Sequence, residues 1–309
     1  MTKKKTNLQR LLVLLVMSFV WLAQSASAQT VTSSQKPTGH VNTNTKIVYH
    51  NGLIMTGPAD VYLIWYGCWD NTCGTKGDTI TQSITTDFVS NIGGSPWAQI
   101  LRMYPNTDGF IPWSTVFLGA SVVDQYSRGL ELTPSDINGI ITDQITNRRI
   151  PQDPSGIYVL IASTDVSAPW TGLCDASAQP YHGTGEAFGS DFRYAFLGNP
   201  NACPSVAAPQ FFSNGNQLAT PNGSLAGDAL VNNLAHVLST TITNPTFGAW
   251  FDRYGLQNAD KCTDEFGTTY LTPNGARANM KLGQRDYLIH ANWVNDRKGY
   301  CALSPPVLL

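Results

Sequence analysis

The stretch DALVNNLAHVLSTT, Asp228 to Thr241, carries two stripes at once. Leu230, Leu234, Val237, Leu238 and Thr241 recur at helical spacing on one face. Asn232, His236 and Thr240 recur at four-residue steps, which stacks three polar side chains along a second line. Asn244-Pro245 then stops the helix, because the residue before proline is pushed out of the helical region. A helix with an apolar stripe and a polar stripe packs against a core and offers something beside it.

Upstream, the chain alternates strand and helix. Val61-Tyr62-Leu63-Ile64-Trp65-Tyr66, halted by Gly67, is a continuous β-prone run suited to a buried strand. Ile80, Ile84, Phe88 and Ile92 have helical spacing, closed by Gly93-Gly94, and Pro96 to Tyr104 reads as a second short helix. Val116–Val123, Ile157–Ala162 and the short Arg193–Leu197 read as strands. Thr133-Pro134-Ser135-Asp136 opens a helix with the stripe Ile137, Ile140, Ile141 and Ile145. His182 falls in a Gly/Ser-rich loop before the last strand. The order predicts an α/β fold, a mixed sheet flanked by helices, with a loop-rich C-terminal part from Phe247 onward.

Composition sets the limits. The 309 residues are 42% hydrophobic and 13% charged, which excludes a disordered chain. Nineteen basic against 21 acidic residues make a nucleic-acid partner a poor fit. Lys3, Lys4, Lys5 and Arg10, then the apolar run Leu11 to Leu22, then Ala26-Ser27-Ala28, read as a secretory signal peptide over residues 1–28. The apolar run is shorter than the ~20 residues that a membrane helix needs. Its removal leaves 15 basic and 21 acidic residues, a net charge of −6. Residues 29–45 are polar and aperiodic and read as a flexible lead-in to one domain over 46–309. No transmembrane anchor is expected.

All six cysteines lie beyond the signal: Cys68, Cys73, Cys174, Cys203, Cys262 and Cys301. An even count in an oxidising compartment favours disulfides, and no C-x-x-C spacing suggests zinc. Six cysteines permit 15 connectivities; sequence order suggests 68–73, 174–203 and 262–301, since near residues close most easily.

The polar stripe invites a test for metal chemistry. A zinc-peptidase helix needs two ligands four residues apart and a Glu beside the first to activate water. His236 has the first position, but Val237 cannot take a proton and Thr240 is a poor zinc ligand. A lone helical His is most often structural. His40, His50, His182 and His290 share no close spacing, so no metal or cofactor is expected. Gly-x-Ser-x-Gly is absent, and oxidised cysteines do not serve as nucleophiles. Asp260, Asp264 and Glu265 read most simply as a solvated acidic loop. Trp65, Tyr66 and Trp69, like Trp250, Phe251 and Tyr254, suit a buried core better than a sugar-stacking surface.

Three ordered blocks resemble the EXORDIUM / phosphate-induced protein 1 family. They are Tyr49-His50-Asn51-Gly52 through Gly67, then Asp124 through Ile137, then Pro221-Asn222-Gly223 through Thr243-Asn244-Pro245. The resemblance runs from Lys46 to Cys301. It implies an extracellular or cell-wall protein linked to cell expansion and growth signalling, without established enzymatic activity. The segment from His236 to Cys262 also resembles secreted metallopeptidases, with Val237, Thr240, Asn244 and Gln257 standing where that pattern has Glu, Glu, Asp and Glu. That likeness implies a zincin-like core whose vestigial cleft comprises His236, Thr240, Gln257 and Asp260. The expectation is a monomeric, non-catalytic protein that binds an extracellular protein or a glycan. A secreted hydrolase, either a divergent metallopeptidase or a carbohydrate-active enzyme, is the alternative.

Overall fold

The structure, a computed structural model, describes residues 31–32, 45–70, 72–172, 174–175, 180–213, 216–217 and 219–306. The signal segment 1–28, most of the lead-in and His40 lie outside the described residues.

A five-stranded sheet organises the chain: β1 (Ala59–Tyr66), β2 (Val116–Asp124), β3 (Gly156–Ala162), β4 (Tyr181–Ala187) and β5 (Ser190–Leu197). Their spatial order is β2-β1-β3-β5-β4. Four strands are parallel, and β4 returns antiparallel along the edge of β5. The apolar run at 61–66 is explained by this position. Val61, Leu63 and Trp65 enter the core on one face, and Tyr62, Ile64 and Tyr66 enter the core on the other. A strand covered on both faces needs no polar alternation.

Helix α1 (Thr79–Ile92) and helix α3 (Leu225–Thr243) share the first of those cores, through Ile84, Phe88, Leu230, Leu234, Val237 and Leu238. Helix α2 (Pro134–Thr146) covers the other with Ile137, Ile140, Ile141 and Ile145. Its start is a capping box: Thr133 accepts from the Asp136 N–H, and Asp136 accepts from the Thr133 N–H. Residues 96–103 form one α turn, Pro96–Gln99, followed by a 3₁₀ turn, Ile100–Met103. Almost the whole of α3 is buried, its polar stripe included, because the C-terminal part folds over it.

Two sequence expectations are corrected. His182 lies on strand β4, not in a loop. The pattern hides this strand because glycine occupies alternate positions: a Cβ at Gly185 would come within 2.5 Å of the Phe192 ring on β5. The two strands meet at Phe188-Gly189, both at positive φ (52° and 73°), which matches the twist of a two-residue hairpin. The acidic segment near Cys262 is also not a solvated loop, since Asp260 is only 7% exposed. Within the lead-in, Val31–Thr32 pairs antiparallel with Thr268–Thr269, and Thr45 is buried. Disulfides join Cys68–Cys73, Cys174–Cys203 and Cys262–Cys301, each cysteine with its neighbour in sequence order. Among the described residues no helix is long and apolar enough to cross a membrane.

Candidate ligand cleft over His236

The cleft opens where β5 ends, at Phe196, Leu197 and Gly198, beside Tyr181 at the start of β4. The carboxyl ends of parallel strands are a recurrent place for sites, because the connections diverge there and leave a crevice. Helix α3 lends Asn232, Asn233 and His236 to its lining, and the C-terminal part lends Asp264 and His290. Its volume is about 120 Å³.

His236 is buried and pairs with Asp260, Nε2 to Oδ1, at 2.8 Å. The other Asp260 oxygen accepts the Gln257 backbone N–H at 2.8 Å. Burial pushes the Asp260 carboxyl up, but the His236 hydrogen bond and charge, with the Gln257 N–H, hold it below the usual carboxylate range. The Gln257 amide bridges outward. Its Oε1 accepts from Asn244 Nδ2 at 3.0 Å, and its Nε2 donates to His182 Nε2 at 3.2 Å. That contact places the His182 ring proton on Nδ1, an atom that is buried and has no partner among the described residues. Phe247 stacks on the same ring at 4.4 Å. Burial pushes the His182 imidazole down to about 4 despite the pull of Asp260.

Of the four vestigial positions, His236, Gln257 and Asp260 therefore join one network, and only His236 lines the cleft. Thr240 takes no part. Its hydroxyl donates back to the carbonyls of His236 and Val237. The sequence did not flag His290. The Asp264 N–H donates to its Nδ1 at 2.9 Å, Asn232 Nδ2 lies 2.7 Å from its Nε2, and Phe266 stacks on it at 4.9 Å. Burial, with the charge of His236, pushes this imidazole down to about 3. Burial also raises the Asp264 carboxyl. The four-residue step from Asn232 to His236 was the available signal, but nothing in the sequence brings residue 290 beside it.

Among the described residues, the one group of three His, Cys or carboxylate ligand atoms within 4.8 Å of each other is Cys68, Asp70 and Cys73. Both of its sulfurs are in a disulfide. What the arrangement around His236 supports is hydrogen bonding. The imidazole is oriented by a buried carboxylate through Nε2, which leaves Nδ1 as its other ring nitrogen.

This is an α/β protein with a mostly parallel sheet, an antiparallel edge strand and a polar cleft lined by the His of a buried His–Asp pair. The chain belongs to the phosphate-induced protein 1 family, whose conserved region matches residues 47–296. Its relatives include Protein EXORDIUM-like 3 of Arabidopsis thaliana, 28% identical, with 87% of this chain and 86% of that protein covered. Protein EXORDIUM of the same plant is 26% identical over 81% of this chain and 80% of its own length. Protein PHOSPHATE-INDUCED 1 of Nicotiana tabacum is 26% identical over 65% and 66%. No solved structure matches.

Proposed function

We propose that this chain is an exported member of its family that works by binding through the cleft over His236, not by catalysis. The basic, then apolar, then Ala-Ser-Ala start supports export. Three disulfides fit an oxidising compartment, and the medium or the cell wall is the expected place. The observation that carries the non-catalytic reading is how the former ligand positions are used. His236 Nε2 is engaged by Asp260, Gln257 is a bridging amide, and the Thr240 hydroxyl bonds its own helix. On this reading the scaffold derives from a zinc peptidase and has become a pseudoenzyme acting in growth or surface-related processes.

The second reading, a secreted hydrolase, draws on the same pair, because a carboxylate-oriented imidazole is what a general base requires. Two measurements separate the readings. Zinc is quantified in protein purified without chelator, and turnover of peptide and glycan substrates is compared between the wild type and His236→Ala. Binding predicts far less than one zinc per chain and no turnover that depends on His236. One zinc per chain, or hydrolysis abolished by the substitution, overturns it.

A further inference from the structure

The cleft has unmet hydrogen-bonding capacity of a particular kind. Gln210 Nε2 and Oε1 are both buried without a partner among the described residues. The half-buried Asn233 amide and Asp264 carboxyl also line the cleft. His236, only 2% exposed, contributes Nδ1. Leaving a buried amide unpaired is costly, so a ligand that pairs Gln210 gains without competing with internal bonds. Among the described residues no Lys or Arg lines the cleft, which disfavours a phosphate or sulfate. A cation is poorly served too: Asp260 already faces His236, Asp175 is already partnered, and burial disfavours the charged form of Asp264. Amides both donate and accept, which matches hydroxyl groups that do the same. Tyr181, half-buried at the rim, supplies apolar surface for a ring's C–H face.

Size narrows the choice. About 120 Å³ is far below the ~300–1,000 Å³ of a drug-sized site. It is a pit for one ring, not a strand-length groove that could pair the repeating donors and acceptors of an extended peptide.

From these features we infer that the cleft binds a single neutral pyranose residue, the free end of a glycan. Gln210, Asn233 and His236 pair its hydroxyls, and Tyr181 packs against its ring. This rests on the binding reading above and names the ligand class for it.

The test is saturation-transfer NMR on the full exported chain with methyl glycosides of glucose, galactose, mannose and xylose as probes. The expected result is binding of at least one glycoside at about 1 mM, the range open to a ligand of roughly a dozen heavy atoms. Binding should weaken at least tenfold in Asn233→Ala and in Gln210→Ala, with thermal midpoints unchanged, and persist in Thr240→Ala. The sugar assignment is overturned if no glycoside binds, or if binding is indifferent to both substitutions. It is also overturned if short peptides, used as competing probes, occupy the cleft in an Asn233-dependent way; in that case the binding reading still stands. Zinc or His236-dependent turnover would instead overturn the binding reading itself.

Discussion

Asp260 and Lys261 are consecutive and both buried, the first hydrogen-bonded to His236 and the second ion-paired with Asp252, yet their surroundings differ in kind. Lys261 Nζ lies 3.3 Å from Asp252 Oδ2, with both side chains fully buried. It also donates to the Thr45 hydroxyl at 3.0 Å and sits 4.5 Å from the centre of the Trp293 ring. Asp252 accepts further bonds from Thr45 and from the Tyr254 and Leu256 N–H groups. Burial pushes Asp252 up, but these donors and Lys261 hold it below the ordinary range. That cluster is closed. The Asp260 cluster ends at His236, on the lining of a cleft that also holds the Gln210 amide, without a partner among the described residues. The contrast teaches that burial of an ion pair says little about function. What separates a structural pair from a candidate site is whether hydrogen-bonding atoms are left over and where they lie.

The sharpest way to break the comparison is Lys261→Met. It leaves Asp252 buried without its counter-charge and should cost about 3–5 kcal/mol in urea unfolding, with glycoside binding retained in the folded fraction. A loss of binding without a loss of stability would mean that the closed cluster is not merely structural.

Next is the neighbouring anchor. Cys262 closes a loop of 39 residues to Cys301, and replacing both by Ser should cost about 4 kcal/mol by chain entropy. Removing Cys68–Cys73, which are five residues apart, should cost about 2 kcal/mol. Equal losses would show that the bond does not hold the 260–262 turn against the helix.

Acid should act on the cleft side first. An unfolded imidazole takes its proton near pH 6.5, whereas His182 resists until about 4 and His290 until about 3. Between those values the unfolded chain binds more protons, so stability falls as pH drops. His182 alone accounts for about 3 kcal/mol of that loss between pH 6.5 and 4. Asp260 adds in the same direction at lower pH. Its folded carboxyl is held below the unfolded value, so its contribution is present above the ordinary carboxylate range and is lost as pH falls through the folded value. Urea midpoints across this range should slope accordingly, and His182→Asn should flatten the slope. An unchanged slope would show that the buried imidazole is not responsible.

The smallest effect is expected at Thr240→Ala, below about 1 kcal/mol with binding unchanged, since the hydroxyl serves only its own helix. A larger change in binding would return Thr240 to the site.

Much of the architecture was legible. The run at 61–66, the stripes of α1, α2 and α3 and the stop at Asn244-Pro245 are local signals with periods of 2 or 3.6 residues. Strand β4 was not, because Gly183 and Gly185 make room for the rings of Tyr181 on its own strand and Phe192 on β5, and so erase the alternation that marks a strand. The site was half legible. His236 and Asp260, 24 residues apart, both stand out in the sequence, but its acidic neighbours make Asp260 read as part of a solvated loop. The contacts of His290 with Asn232 across 58 residues, and of Lys261 with Thr45 across 216, leave no local trace.

By itself, the sequence determined that α3 would carry a polar stripe beside an apolar one, and that the carboxylates of a zinc site are missing from it. Which polar groups found partners was decided only by the tertiary structure. Hydrogen bonds satisfy whatever donor and acceptor the fold brings within about 3 Å, and those partners come from distant parts of the chain. The fold closed the set around Lys261 and left the one around His236 open to a ligand.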